Sequence, residues 1–185
     1  MGHRDRRSTL VHEAFRVIAE HGLEGLRLRA VAAGAGIDHS TLHHHFATKQ
    51  DLIVAVVGLA TEPLRATIAE DGTPRERLDG HLATLASMLQ SRPDLFVVLA
   101  EIDLRARRDP EVAVAVNEVE AGWRLALTAL FRDSRISADP EDLTELTIAA
   151  VKGVRLDPVN GPAVLATLRA LLSRAPHDSS AVGVR

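Results

Sequence analysis

The stretch Arg29-Ala30-Val31-Ala32-Ala33-Gly34-Ala35-Gly36-Ile37-Asp38-His39-Ser40-Thr41-Leu42-His43-His44-His45-Phe46 decides how the rest of the chain is read. Its first third is an alanine-rich helical segment with Val31 and Ala32 as the inward pair. Gly36 then permits a tight turn, because glycine alone adopts left-handed backbone without steric cost. Asp38 or His39 opens a second short helix through His45. Leu42 and Phe46, with Ile37 just before, fall on one side of that helix. His39, Ser40, Thr41, His43 and His44 fall on the other.

Outward from this pair the whole chain reads as helix. Leu10, Val11, Ala14, Phe15 and Ile18 keep the i, i+3, i+4 spacing of a one-sided helix, with Ser8 or Thr9 as its cap and Gly22 as its end. The second helix covers 28–34. Phe15, Leu26, Val31, Ile37, Leu42 and Phe46 are the expected core of a three-helix bundle, since such short helices do not stand alone. Downstream, Thr73-Pro74, Asp109-Pro110 and Asp139-Pro140 each place a capping oxygen before a proline at the first helical position. Thr73 with Glu76 has capping-box spacing, and Thr48 with Asp51 nearly does. The later helices are expected at 49–71, 74–91, 93–107, 110–133, 140–156 and 162–173. No segment alternates with period two, so no sheet is expected. The fold class is all-α, about nine helices, divided as 1–50, 51–174 and a frayed tail at 175–185.

Composition fits an ordinary globular protein. Hydrophobic residues are 46% and charged residues 25%, but aromatics are only 3%, so the core rests on Leu, Val, Ile and Ala. The absence of cysteine excludes disulfides and thiolate metal sites and agrees with a reducing cytoplasm. No apolar run reaches membrane-spanning length. Net charge is −3, unevenly placed. The first fifty residues hold seven Arg or Lys against five Asp or Glu, and seven of the nine histidines. A mildly basic head on an acidic body suits a nucleic-acid-reading module joined to a regulatory body.

The outer face of 38–46 carries donors and acceptors and few full charges. A helix of that kind enters the major groove and offers hydrogen bonds to base edges. At this point the chain resembles the TetR family of bacterial regulators. The resemblance is carried by Ala14-Phe15, His21-Gly22, Arg29-Ala30-Val31-Ala32, Ala35-Gly36-Ile37, Thr41-Leu42-His43-His44-His45-Phe46 and Lys49-Gln50-Asp51-Leu52, over about residues 8–55. It departs from the family at His43, where Tyr is usual, and at Arg27, where Thr or Ser is usual.

The resemblance implies the roles of single residues. Arg29 matches a groove-facing position of the helix before the turn. His39, Ser40 and Thr41 match base-reading positions, and His43, His44 and Lys49 match positions on the DNA backbone. Arg4, Arg6 and Arg7 are either an arm on the phosphates or a solvated tail, and His45 packs locally. Helices four to seven are implied to enclose a small-molecule effector, with Leu85, Met88, Leu89, Phe96, Leu99, Ile102, Trp123 and Leu127 as candidates, and Phe131 beside them. Trp123 stands out as the one tryptophan, with an indole N–H to satisfy. Glu101 and Asp103 are acids in an apolar helix, either lining that site or solvated. The last two helices are implied to form a homodimer interface through Leu143, Leu146, Ala150, Gly153, Val164, Leu168 and Leu171. A two-fold protein asks for a near-palindromic double-stranded operator.

His39 and His43 have the i, i+4 spacing of paired metal ligands, but no cysteine or well-placed carboxylate completes a set, so no metal and no cofactor are expected. Unperturbed histidine titrates near pH 6.5, and operator affinity is expected to rise as pH falls from about 8 to 6. No Gly-rich phosphate loop, nucleophile elbow or acid–base pair is present, so no catalytic residue is assigned. A helical adaptor without DNA binding and a Ser/His hydrolase are the alternatives. The reading is a ligand-responsive repressor released from its operator by an effector, with activation still open.

Overall fold

The structure is a computed structural model that describes residues 3–176. Among them are nine α-helices: α1 (His3–Gly25), α2 (Leu28–Gly34), α3 (His39–His45), α4 (Lys49–Arg65), α5 (Pro74–Ser91), α6 (Pro93–Ala106), α7 (Pro110–Asp133), α8 (Pro140–Leu156) and α9 (Gly161–Arg174). The tail expected to fray beyond Ala175 lies, from residue 177 on, outside the described residues, as does the side chain of Arg4.

The proline-led starts form as the residue types dictate. Thr73 and Glu76 close a reciprocal capping box, Glu76 N–H to Thr73 Oγ1 at 3.3 Å and Thr73 N–H to Glu76 Oε2 at 2.8 Å. Asp139 accepts from the amides of Glu141 and Asp142 at 2.9 and 3.1 Å. Thr48 and Asp51 satisfy each other's amides at the head of α4, at 2.8 and 3.0 Å. Each bond pairs an N–H that a helix leaves without an intrahelical partner.

Three expectations need correction. The first helix begins at His3, well before Ser8, so Arg6 and Arg7 are helical and not a loose arm. Thr9 back-bonds to the Asp5 carbonyl at 3.0 Å instead of capping. Next, α4 stops at Arg65, short of 71. Pro63 stands in its last turn, and proline removes a helix hydrogen bond and crowds the preceding turn. Finally, Phe15 and Ile37, expected in the core, are only half-buried.

Two compact units result. The first comprises Met1–Leu64 with Pro93–Val119, and the second Arg65–Arg92 with Glu120–Arg185. In the first, α1 packs along α6 and the short helices α2 and α3 pack together. Leu10, Ile18, Leu26, Val31, Leu42, Phe46 and Leu52 are fully or almost fully buried there. In the second, α5 packs along α9, and α8 against α9.

Candidate nucleic-acid interface

The turn between α2 and α3 is built by its backbone. Gly36 has φ +68°, the left-handed region, so the chain can reverse at this point. Ile37 N–H reaches the Ala32 carbonyl at 3.0 Å and Gly36 N–H the Ala33 carbonyl at 3.1 Å. That crossed pair is the Schellman arrangement, which satisfies the last carbonyls of α2 and fixes the angle at which α3 departs. Leu42 and Phe46 then anchor α3 from beneath, 0% and 1% exposed.

Because the apolar anchors sit on one side, the polar residues emerge on the other. Ser40, His43 and His44 are exposed, and His39 and Thr41 are partly so. The rings of His39 and His43 meet edge to face with centroids 4.6 Å apart. Arg29, on α2, is exposed as well. The structure therefore brings Arg29, His39, Ser40, Thr41, His43 and His44 to the surface of one helix-turn-helix. His45 is half-buried. Among the described residues no group of three or more His, Cys, Asp or Glu is placed to hold a metal ion.

Two cations expected near DNA have partners within the first unit. Arg7 lies over the Phe46 ring, 4.7 Å from its centroid, a cation–π contact that ties α1 to the end of α3. Lys49 Nζ donates to the Leu23 carbonyl at 3.3 Å. Burial, aided by nearby Arg27, holds the Lys49 ammonium below the usual lysine range, against the pull of Glu24. Arg27 turns back onto the carbonyls of Glu24 and Leu26.

The kink at Gly22 within α1 carries a contact that sequence reasoning missed. Gly22 is left-handed, φ +68°, and Leu23 N–H donates to Glu101 Oε2 of α6 at 2.8 Å. Glu101 thus clamps the end of the α1 segment through Oε2. Close by, Asp109 accepts from Gln50 Nε2 at 3.0 Å and from Arg105 Nε at 3.0 Å, besides capping α7 through Glu111 and Val112. An acid within an apolar helix was the available signal for Glu101, but nothing local names its partner.

Of the residues expected to line an effector site, Leu85, Met88, Leu89, Trp123 and Leu127 lie in the second unit, and Phe96, Leu99 and Ile102 in the first. All are buried except Met88, which is half-buried. The indole N–H that singled out Trp123 already has a partner, His81 Nε2 at 3.1 Å. His81 shares the buried face of α5 with Leu78, Leu82, Leu85 and Leu89, a spacing from which the sequence alone shows it to be internal. On the expected dimer helices, Leu146, Val164 and Leu171 are 55%, 44% and 64% exposed, and Gly153 has open space beyond its Cα. Leu143 and Ala150 are half-buried. Leu168, by contrast, is buried in its own unit.

Comparison with known proteins agrees with this geometry. Residues 10–56 match the family described as "Bacterial regulatory proteins, tetR family". Residues 74–179 match "BetI-type transcriptional repressor, C-terminal". The chain is similar to the HTH-type transcriptional regulator BetI of Rhizobium meliloti (strain 1021), 29% identical over 153 residues, covering 80% of this chain and 75% of that one. It superposes on a transcriptional regulator from Rhodococcus sp. Rha1 with TM-score 0.79 at 25% identity, over 90% of this chain and 95% of the other. It also superposes on the multidrug binding protein EbrR complexed with ethidium, with TM-score 0.70 at 26% identity, over 90% and 98% of the two chains.

Proposed function

The chain belongs to the TetR family of bacterial transcriptional regulators, with a BetI-type repressor C-terminal part, and from that premise we propose that it reads its operator through the outer face of α3. It is a ligand-responsive transcriptional repressor and not an enzyme. Ser40 and Thr41, with His39, offer hydrogen bonds to base edges. Arg29 faces the groove from α2, and His43, His44 and Lys49 meet the DNA backbone. The single observation that carries this assignment is the polar face of α3, exposed above Leu42 and Phe46 and aimed by the Gly36 turn.

The protein works in the cytoplasm as a homodimer. The uncovered apolar residues Leu146, Val164 and Leu171 of α8 and α9 support the interface, and the missing side chain at Gly153 lets a partner helix come close. A two-fold dimer presents two copies of α3, so the operator is near-palindromic. A small-molecule effector binds in the body against Leu85, Met88, Leu89, Trp123 and Leu127. Its binding biases a two-state element and releases DNA. The grip of Glu101 on Leu23 supports α6 as part of that element.

The test is a retardation assay with the DNA upstream of its own gene. The expected result is a shifted band whose affinity falls steeply with salt. Thr41→Ala and His44→Ala should weaken it while sedimentation still reports a dimer. Unchanged binding in both variants overturns the placement of the interface. Leu146→Glu with Leu171→Glu should give monomers, and dimers that persist would move the interface elsewhere.

A further inference from the structure

Within the second unit, a half-open cavity of about 480 Å³ lies between α5 and α9 and shares no residue with the expected effector set. Its walls are aliphatic: Leu78 and Leu82 from α5, Leu172 from α9, and Ile136 from the segment after α7. Gly80 lies between the two leucines. It stands inside a helix, where glycine is the weakest former after proline. A Cβ built there meets no heavy atom within 4 Å. Gly80 is exposed and lines the cavity, so the open space beyond it belongs to the cavity's mouth.

The polar groups around the mouth are charged and are matched except at Arg75 Nε, which is buried without a hydrogen-bond partner. Arg75 spends Nη1 on the Ser173 carbonyl and Nη2 on the Ala175 carbonyl, both at 3.0 Å. Arg169 forks onto Asp79, with Nε at 2.8 Å and Nη2 at 2.6 Å. Glu76 is held in the capping box with Thr73. Only Arg169 and Asp79 form an ion pair, a ligand charge would compete with these arrangements, and the one buried polar atom left open, Arg75 Nε, is a donor that a neutral oxygen can satisfy. Ser173 differs. Its hydroxyl donates to the Ala170 carbonyl at 3.0 Å, which leaves an oxygen lone pair free to accept.

We infer that this cavity binds an uncharged small molecule with an aliphatic body and a hydroxyl head, at a site separate from the effector residues. The volume falls within the range of small-ligand sites, roughly 300–1,000 Å³. The aliphatic body is driven in by loss of water-exposed apolar surface against Leu78, Leu82, Ile136 and Leu172. The head donates to Ser173 Oγ without disturbing the paired charges.

Calorimetric titration of the full-length chain with 1-octanol, octanoate and octylammonium tests this. The expected result is one 1-octanol per chain, with the two charged probes at least tenfold weaker. Gly80→Leu puts a bulky side chain at the mouth and should abolish octanol binding, while Gly80→Ala should weaken it several-fold. Should Gly80→Leu fail to fold, the alanine variant decides, together with a crystal soaked in 8-bromo-1-octanol whose bromine should lie against Leu82 or Leu172. No octanol binding, equal binding of the three probes, undiminished binding to a folded Gly80 variant, or bromine elsewhere would overturn the proposal. Operator affinity measured on the same samples keeps this outcome apart from that of the DNA-reading assignment, whose contacts lie on α2, α3 and α4.

Discussion

The indole N–H of Trp123 donates to Nε2 of His81 at 3.1 Å, and the other ring nitrogen of His81 meets the hydroxyl of Thr67. An imidazole that accepts at Nε2 must be neutral there, because the charged form has no lone pair to offer. Burial alone drives its pKa from 6.5 down to about 4. In the unfolded chain the same histidine titrates near 6.5, so between pH 6.5 and about 4 the unfolded state binds the extra proton. Stability is therefore fully present above pH 6.5 and is lost as pH falls through that window, by about 3 kcal/mol in all. Urea unfolding followed by Trp123 fluorescence at successive pH values should show this loss. His81→Leu should be less stable at neutral pH, since it strands the indole N–H, yet show a flatter profile between pH 6.5 and 4. Parallel profiles would mean that His81 is not the titrating group.

Glu101 on α6 makes a second prediction. Leu23 N–H follows the left-handed Gly22, and the Glu101 carboxylate is its acceptor at 2.8 Å. Glu101→Ala leaves that half-buried N–H without its partner, at a cost of about 1–3 kcal/mol. Glu101→Gln keeps an acceptor oxygen and should cost less. Amide exchange at Leu23 should speed up in the alanine variant and stay slow in the glutamine variant. Operator affinity should fall in the same order, because the clamp steadies the helices that carry α3. Equal exchange in both variants would show that the carboxylate is not the group protecting this amide.

Gly22 itself carries a related prediction. At φ +68° and ψ 172°, a region open essentially to glycine alone, any side chain is strained by roughly 1–3 kcal/mol, and a Cβ would sit 3.3 Å from Glu101 Oε2. Gly22→Ala should therefore destabilise the first unit by more than the left-handed strain alone. Combined with Glu101→Ala the loss should be less than additive, because the carboxylate that crowds the new methyl is gone. A double-mutant cycle in urea reads this directly, and strict additivity would contradict the contact.

What the sequence disclosed and what it withheld follow from how far apart the partners lie. Thr73, Asp109 and Asp139 were readable as caps because a cap and its amides sit within three residues. Gly36 was readable because turn chemistry is local too, and Leu42 and Phe46 because helical period sorts faces. The start of α1 was misplaced since Arg4-Asp5-Arg6-Arg7 has no apolar period, although Thr9 and Arg7 find contacts that hold this part of the helix. Glu101 and Leu23 are 78 positions apart, and His81 and Trp123 are 42 apart. Such pairs are set by packing of whole helices, which no local pattern encodes. For the same reason Leu168 reads like Val164 and Leu171 in sequence but faces inward.

The capping box at the head of α5 is the plainest local prediction. Thr73→Ala removes the acceptor for Glu76 N–H and one partner of the Glu76 carboxylate, which its bonds to Thr73 hold below the usual glutamate range. The loss should be about 1 kcal/mol. Thr73→Ser should recover most of it. Since α5 carries His81, Trp123 fluorescence is a suitable probe of the unfolding midpoint, and no shift in the midpoint would mean that the cap is idle in solution.

Lys49 is where the stability and DNA-binding roles meet. Its ammonium holds the Leu23 carbonyl at 3.3 Å, but an ammonium has three donors and this bond takes one. Lys49 also stands at the first turn of α4, where free amides and the helix dipole favour a phosphate. Lys49→Met should then act twice. Unfolding in urea should show a modest loss, at most about 1 kcal/mol, from the Leu23 bond. The dependence of operator affinity on salt should become shallower by roughly 0.9 for each phosphate no longer neutralised, hence about 2 for a dimer. Thr41→Ala, which removes a hydrogen bond to a base and no charge, should weaken the operator complex with its salt slope intact. A Lys49→Met protein with an unchanged salt slope would confine Lys49 to its structural bond with Leu23 and leave the phosphates to His43 and His44.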